Sequence, residues 1–173
     1  MKEKLRKEYL VIRKNILNRD IKNKKILKKI INLKAVKEAS VILTYVSTND
    51  EVNTMELIKY LLKNNKLVAV PRVDGSSMNF YYIKSLDDLN KGYMNIYEPV
   101  GDEMVESFSK TISITPGICY STDGYRIGYG RGFYDRFYSK NRVYSIGICY
   151  RECLTSVKFN DLYDVAVDEI ITD

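Results

Sequence analysis

Apolar residues recur along this chain with two different periods. Over residues 2–18, Leu5, Tyr9, Ile12 and Ile16 fall at offsets of four, three and four, the stripe of an amphipathic helix. Ile26, Leu27, Ile30 and Ile31 predict a second helix of the same kind. Residues 41–46 (Val-Ile-Leu-Thr-Tyr-Val) are instead a continuous apolar run rich in β-forming residues, as in a strand buried on both faces. A polar loop follows, and Asn53 with Glu56 three residues on predicts a capping box for a helix that turns Leu57, Ile58, Leu61 and Leu62 inward. Residues 67–70 read as a strand stopped by Pro71, and residues 78–83 as another. The stretch 86–108 is acidic, has no clear period and is expected to be mostly loop. Residues 111–115 read as a strand closed by Pro116-Gly117. A glycine-rich loop, a short helix near Phe133, a strand over 143–148 and a last strand around 169–172 complete the chain.

Strands alternating with helices predict a single-domain α/β fold over residues 1–173, a three-layer α/β/α sandwich with a largely parallel sheet. Ligands of such sheets bind beyond the carboxyl ends of the strands, which singles out the loops at 47–53 and 116–134.

Length and composition agree with one self-sufficient core: 173 residues, 45% hydrophobic and 29% charged. No apolar run is long enough to span a bilayer and no signal peptide is apparent, so a cytoplasmic protein is expected, without a membrane partner. The odd set Cys119, Cys149 and Cys153 reads as reduced, buried thiols. The absence of histidine removes Ser-His and Cys-His nucleophile pairs, histidine bases and His-ligated zinc. Chemistry must therefore run on carboxylates, Lys, Arg, Tyr, backbone amides or a bound cofactor. The net charge of +6 is uneven: residues 1–37 carry 14 Lys and Arg against 3 Asp and Glu, and the remainder is net acidic. Fifteen tyrosines with basic residues could form stacking platforms for single-stranded nucleic acid, a binding module rather than an enzyme. That reading needs basic and aromatic residues to share a face across the body. The charge is confined to the first two helices, so no nucleic-acid partner is expected.

Five of the nine glycines lie between Gly117 and Gly132. Gly128, Gly130 and Gly132 strip side chains from alternate positions, which lets an anion approach backbone N–H groups. Arg126 and Arg131 add forked donors suited to phosphate, and the helix opening near Phe133 adds its N-terminal dipole. Asp135 follows as a carboxylate able to hold a divalent cation. The pattern is neither Walker A nor the dinucleotide fingerprint, so the residues alone indicate a phosphate-binding loop and no particular reaction.

The run Gly124-Tyr-Arg-Ile-Gly-Tyr-Gly-Arg-Gly-Phe-Tyr-Asp-Arg-Phe137 resembles the signature of the 5-formyltetrahydrofolate cyclo-ligase family, also called 5,10-methenyltetrahydrofolate synthetase. Lys2-x-x-x-Arg6, Glu51-Val-Asn-Thr54, Pro71-Arg-Val73, Met78-Asn-Phe80, Glu98-Pro99 and Asp164-x-x-x-Asp168-x-Ile-Ile-Thr172 resemble the same family in the same order. The chain departs from the usual pattern at Phe133, often Tyr, at Arg131, often Lys or Gly, and at Asn53, usually Asp.

The resemblance implies a Rossmann-like fold and a monomeric enzyme that converts 5-formyltetrahydrofolate and ATP to 5,10-methenyltetrahydrofolate, ADP and phosphate with Mg2+. It implies nucleotide contacts from Lys2, Arg6, Arg126, Ile127, Gly128, Tyr129, Gly130, Arg131, Gly132, Phe133 and Tyr134. It further implies folate contacts from Val46, Glu51 and Phe80, metal ligation by Asp135 and Asp164, and catalytic roles for Arg126, Arg131 and Asp135. Another ATP-dependent ligase or kinase on the same scaffold is the alternative within enzymes.

Overall fold

A computed structural model describes residues 1–48, 50–92 and 96–173. Three helices open the chain, α1 (Lys2–Lys14), α2 (Arg19–Asn32) and α3 (Lys34–Glu38), followed by strand β1 (Val41–Thr44), helix α4 (Met55–Lys63), and strands β2 (Leu67–Asp74) and β3 (Ser77–Ile83). Next come the short strands β4 (Leu89–Lys91) and β5 (Tyr97–Pro99), then β6 (Thr111–Thr115), β7 (Cys119–Ser121) and β8 (Arg126–Ile127). Helix α5 (Phe133–Lys140), β9 (Tyr144–Ile148), β10 (Leu154–Thr155) and β11 (Glu169–Ile171) end it.

The central sheet has the order β11-β9-β6-β1-β2-β3, parallel throughout except for β3. Strand alternation sends Ile42, Val68, Val70, Ile112, Ile114, Ile146 and Ile148 to one face, where they meet Ile26 and Ile30 of α2 and Leu57, Ile58 and Leu61 of α4. Val41, Leu43 and Ala69 point the other way, onto Phe137 and Tyr138 of α5. Both faces are covered, which is why these strands read as unbroken apolar runs. Ser113 and Thr115 also face α5, and their hydroxyls meet the Tyr138 hydroxyl at 2.7 and 2.6 Å, so the polar atoms on that face are satisfied. The result is the expected three-layer sandwich.

Several local expectations need correction. Helix α1 stops at Lys14 and not at residue 18, because Asn18 adopts the left-handed conformation (φ 56°) and starts α2. Pro71 does not end β2, which continues to Asp74. Pairing with β1 reaches only Ala69, so Pro71 lies where β3 is the sole neighbour and a missing N–H is tolerated. The capping box is absent: Asn53 Oδ1 accepts from Met55 N (2.8 Å) in a local turn, while Glu56 pairs with Lys59. The acidic stretch holds a 3-10 turn, Leu86–Asp88, with a full capping box at Ser85 and Asp88, and the β4–β5 ladder. Inside the glycine-rich segment, β7 and β8 join β10 in a second small sheet.

Candidate functional site

From β1 the chain proceeds through α4 to β2 on one side, and from β6 through α5 to β9 on the other. The sheet's switch point therefore lies between β1 and β6, whose carboxyl ends release the two expected loops side by side.

The loop after β1 is fastened at its base. Thr54 Oγ1 donates to Tyr45 O (2.7 Å) and accepts from Ser47 N, and the Tyr45 hydroxyl donates to Val52 O (2.8 Å). Val46 is buried beside Tyr45. Glu51 turns into the loop, where Oε2 accepts from the Thr48 N–H (2.9 Å) and hydroxyl (3.1 Å). Burial pushes its carboxyl above the ordinary range, although the Thr48 N–H, the Arg13 charge and the Thr48 hydroxyl oppose this.

The loop after β8 runs through residues 128–132 to Gly132, the N-cap of α5. Gly130 and Gly132 have φ of 86° and 65°, which favours glycine. Helix α1 lies along this loop. Arg6 Nε donates to Gly128 O (2.7 Å), and a Cβ on Gly130 would stand 3.3 Å from Arg6 Nη2. One turn earlier, Lys2 reaches Asp164 (2.5 Å) and Asp161 (2.6 Å). Burial works against the Lys2 charge, but hydrogen bonds to both carboxylates outweigh it and raise its pKa. Lys2 and Arg6, four apart, thus share one face of α1, Arg6 meeting the glycine loop and Lys2 the turn at Asp161 and Asp164.

Arg126 turns inward and is 8% exposed. Its Nη2 donates to Asp135 Oδ1 (2.7 Å) and its Nη1 to Val165 O (2.9 Å), so both terminal nitrogens are engaged by protein. Asp135 Oδ1 also accepts from Val165 N (3.1 Å), which brings Asp135 beside the segment carrying Asp164. Ile127 is buried, whereas Arg131 and Tyr129 are exposed. The Phe133 ring lies under the Arg136 guanidinium. Tyr134 carries a buried hydroxyl with no hydrogen-bond partner among the described residues. Burial pushes that phenol far above its ordinary range, and the nearby Glu51 charge adds to the effect. Phe80 is 1% exposed, packed edge-on behind Tyr134 (6.5 Å between centroids) and against Phe137. It sits in the core and reaches the site only through Tyr134.

Asp135 and Asp164 each keep one carboxylate oxygen without a partner among the described residues. No group of three or more His, Cys, Asp or Glu residues among those described could hold a metal ion by itself. The cysteines are buried, and burial pushes the Cys119 and Cys153 thiols up to about 12 and about 11. No described helix is long and apolar enough to cross a membrane.

Sequence reasoning missed Arg13. It is 4% exposed, donates through Nη2 to the Tyr129 hydroxyl (2.6 Å) and through Nη1 to Gly117 O (3.4 Å), and keeps a buried, unpaired Nε. Its signal was available: Lys2, Arg6, Tyr9 and Arg13 repeat the four-three-four offsets of the apolar stripe.

Comparison with known proteins gives a consistent picture. A probable 5-formyltetrahydrofolate cyclo-ligase of Caenorhabditis elegans is 28% identical over 162 residues, 84% of this chain and 79% of the relative. The 5-formyltetrahydrofolate cyclo-ligase of Mus musculus is 27% identical over 142 residues, 73% of this chain and 70% of the relative. The solution structure of Aquifex aeolicus 5,10-methenyltetrahydrofolate synthetase superposes with a TM-score of 0.85 at 27% identity, covering 98% of this chain and 88% of that one. A Mycoplasma pneumoniae 5,10-methenyltetrahydrofolate synthetase, 23% identical, matches in fold with a TM-score of 0.80 over 99% of this chain and 98% of its own. The sequence profile of the family covers residues 1–173 without a break. With the glycine loop, the N-terminal cations and the acidic loop meeting at one switch point, the chain belongs to the 5-formyltetrahydrofolate cyclo-ligase family, enzymes that form 5,10-methenyltetrahydrofolate.

Proposed function

We propose that this chain consumes ATP, with magnesium, to close the ring of 5-formyltetrahydrofolate by phosphorylating the formyl oxygen. The observation that carries this reading is the seating of Arg6 against the loop of Gly128 and Gly130, directly before the N-terminus of α5, with Lys2 one turn away on the adjoining turn at Asp161 and Asp164. A side-chain-free backbone, the N-terminus of a helix and the Arg6 cation lie together there, and Lys2 is one turn away, which suits a triphosphate. Exposed Arg131 is free to reach the same oxygens. Arg126, held by Asp135, contributes a fixed positive potential beneath the loop.

The residues fit a magnesium ion. Two carboxylates, Asp135 and Asp164, each have one oxygen to offer, and magnesium commonly takes one or two carboxylates and completes its shell with phosphate and water. Bound there, it would supply neutralisation of charge on the transferring phosphoryl group.

The folate occupies the neighbouring loop. Glu51 accepts hydrogen bonds from N–H groups of the pterin ring, against a wall formed by Val46 and Tyr134. The formyl oxygen attacks the γ-phosphate, ADP leaves, and the formyl carbon carries phosphate as its leaving group. The second folate nitrogen then attacks that carbon, phosphate departs, and the nitrogen loses its proton. Ring closure is intramolecular, so holding the two nitrogens in reach supplies much of the rate. No histidine is needed, because phosphoryl transfer depends on positioning and charge stabilisation more than on a strong base.

The test is to mix the protein with ATP, magnesium and 5-formyltetrahydrofolate and follow the methenyl chromophore in the near ultraviolet. Chromophore formation that stops on omitting ATP or chelating magnesium supports the proposal. Nucleotide hydrolysis without chromophore would point to a different ligase or kinase.

A further inference from the structure

Arg13 presents an energetic problem that the reaction outlined above leaves unused. A guanidinium that is 4% exposed has lost most of its hydration, yet among the described residues no carboxylate lies within ion-pair distance of it. Its contacts are a neutral hydroxyl, a distant carbonyl and the face of the Tyr129 ring, 5.8 Å from its central carbon, while the Glu51 carboxylate that feels its charge lies beyond ion-pair distance. An arginine buried this way is costly unless its geometry serves something else.

What it touches suggests what that is. Through its side chain Arg13 holds Gly117, just past β6, and Tyr129, inside the glycine loop. Its backbone carbonyl accepts from Arg19 Nη2, and Arg19 Nη1 pairs with Asp50 Oδ1 at 2.9 Å. Asp50 immediately precedes Glu51. An unbroken run of contacts therefore joins the nucleotide loop to the folate loop across the junction of α1 and α2: Tyr129, Arg13, Arg19, Asp50. The geometry points to Arg13 and Arg19 as positioning residues that set the two ligand loops relative to one another, so that damage at either end weakens the binding of both substrates. This rests on the assignment of ATP to the glycine loop and folate to the Glu51 loop.

The test uses the two ends of the relay, both with solvent-accessible side chains. Tyr129→Phe removes only the hydroxyl that Arg13 holds, and Asp50→Ala removes the anchor of Arg19. KM for ATP, KM for 5-formyltetrahydrofolate and kcat are measured for each variant and for the double variant. A charge-assisted hydrogen bond is at stake at each end, so about a tenfold rise is expected. Tyr129→Phe should raise KM for folate as well as ATP, and Asp50→Ala should raise KM for ATP as well as folate. The double variant should be little worse than the poorer single, as for members of one network. The inference is overturned if each variant alters only the ligand of its own loop, or if the two effects multiply fully. Arg13→Lys, which keeps the charge but cannot hold Gly117 and Tyr129 together, should behave like Tyr129→Phe. Should the wild type form no chromophore at all, the functional reading fails on its own. The relay is then judged by titrating a non-hydrolysable ATP analogue into wild type and Asp50→Ala, where unchanged affinity overturns it.

Discussion

Gly128→Ala separates a glycine kept for the fold from one kept for a ligand. A Cβ built on Gly128 meets no heavy atom within 4 Å, and its φ lies outside the left-handed region. The protein itself therefore has no objection to a side chain there. By restricting the unfolded chain, the substitution should stabilise the fold by about 0.4–1 kcal/mol, roughly 1–4 °C in Tm for a chain of this size. A phosphate seated on the loop does object. Losing one charge-assisted contact to a phosphate oxygen is worth about 1.5–3 kcal/mol, a fall in ATP affinity of roughly tenfold to a hundredfold. Gly130→Val makes the contrast: its φ of 86° strains any L-residue by about 1–2 kcal/mol, and its Cβ presses on Arg6, so stability and binding should fall together. Thermal melts paired with calorimetric titration of magnesium-ATP read both quantities on the same samples. If Gly128→Ala raises Tm and binds ATP as tightly as wild type, the phosphates do not lie on this loop and the assignment is wrong.

Three further outcomes are expected. Glu51→Gln should raise KM for 5-formyltetrahydrofolate at least tenfold in steady-state assays while leaving KM for ATP nearly unchanged. Because burial raises the Glu51 pKa, the folded state holds that proton more tightly than the unfolded chain; its contribution to stability is complete at low pH and lost as pH rises through the folded value, a slope that urea titrations should find missing in the Gln variant. Asp135→Asn should abolish most magnesium-dependent turnover and, by leaving the Arg126 charge buried without its carboxylate, destabilise the fold by about 3 kcal/mol in urea titrations. Gly147→Ala should destabilise by about 1–3 kcal/mol without altering the KM of folded enzyme, because the new Cβ would stand 2.5 Å from the ring of fully buried Tyr120.

The main sheet was legible because its strands are covered on both faces. Residues 41–44 and 111–115 are apolar or hydroxyl-bearing at every position, a run that a half-exposed strand does not produce. The small sheet was not legible, since β8 and β10 are two residues long and carry no period. Pro71 misled because a proline excludes only the interior of a sheet, and sequence does not tell where the neighbouring strand ends. The glycine loop announced itself through composition. Arg13 left a weaker signal, the row Lys2, Arg6, Tyr9 and Arg13, because basic residues on an amphipathic helix are ordinarily assigned to the solvated face; the contact with Tyr129 shows that this row turns inward.

The uneven charge acquires a physical meaning at this point. The surplus of the first 37 residues comprises two populations. Lys4, Lys7, Lys24 and Lys25 cover the outer surfaces of α1 and α2, where water screens them. Lys2, Arg6, Arg13 and Arg19 are turned toward the body and meet, in order, the turn at Asp161 and Asp164, the glycine loop, Tyr129 and Asp50. A chain without histidine cannot rely on a proton-shuttling side chain at neutral pH, so it must stabilise developing charge with groups whose charge does not change. Arginine and lysine do this only if they are held still and partly dried. A helix laid against β8 and the glycine loop supplies both conditions, since its apolar stripe of Leu5 and Ile12 packs onto the core while the adjoining cationic stripe faces the loops. The amphipathic pattern that marks α1 as a helix is thus also what points its cations at the loop to which phosphate is assigned in the proposed function.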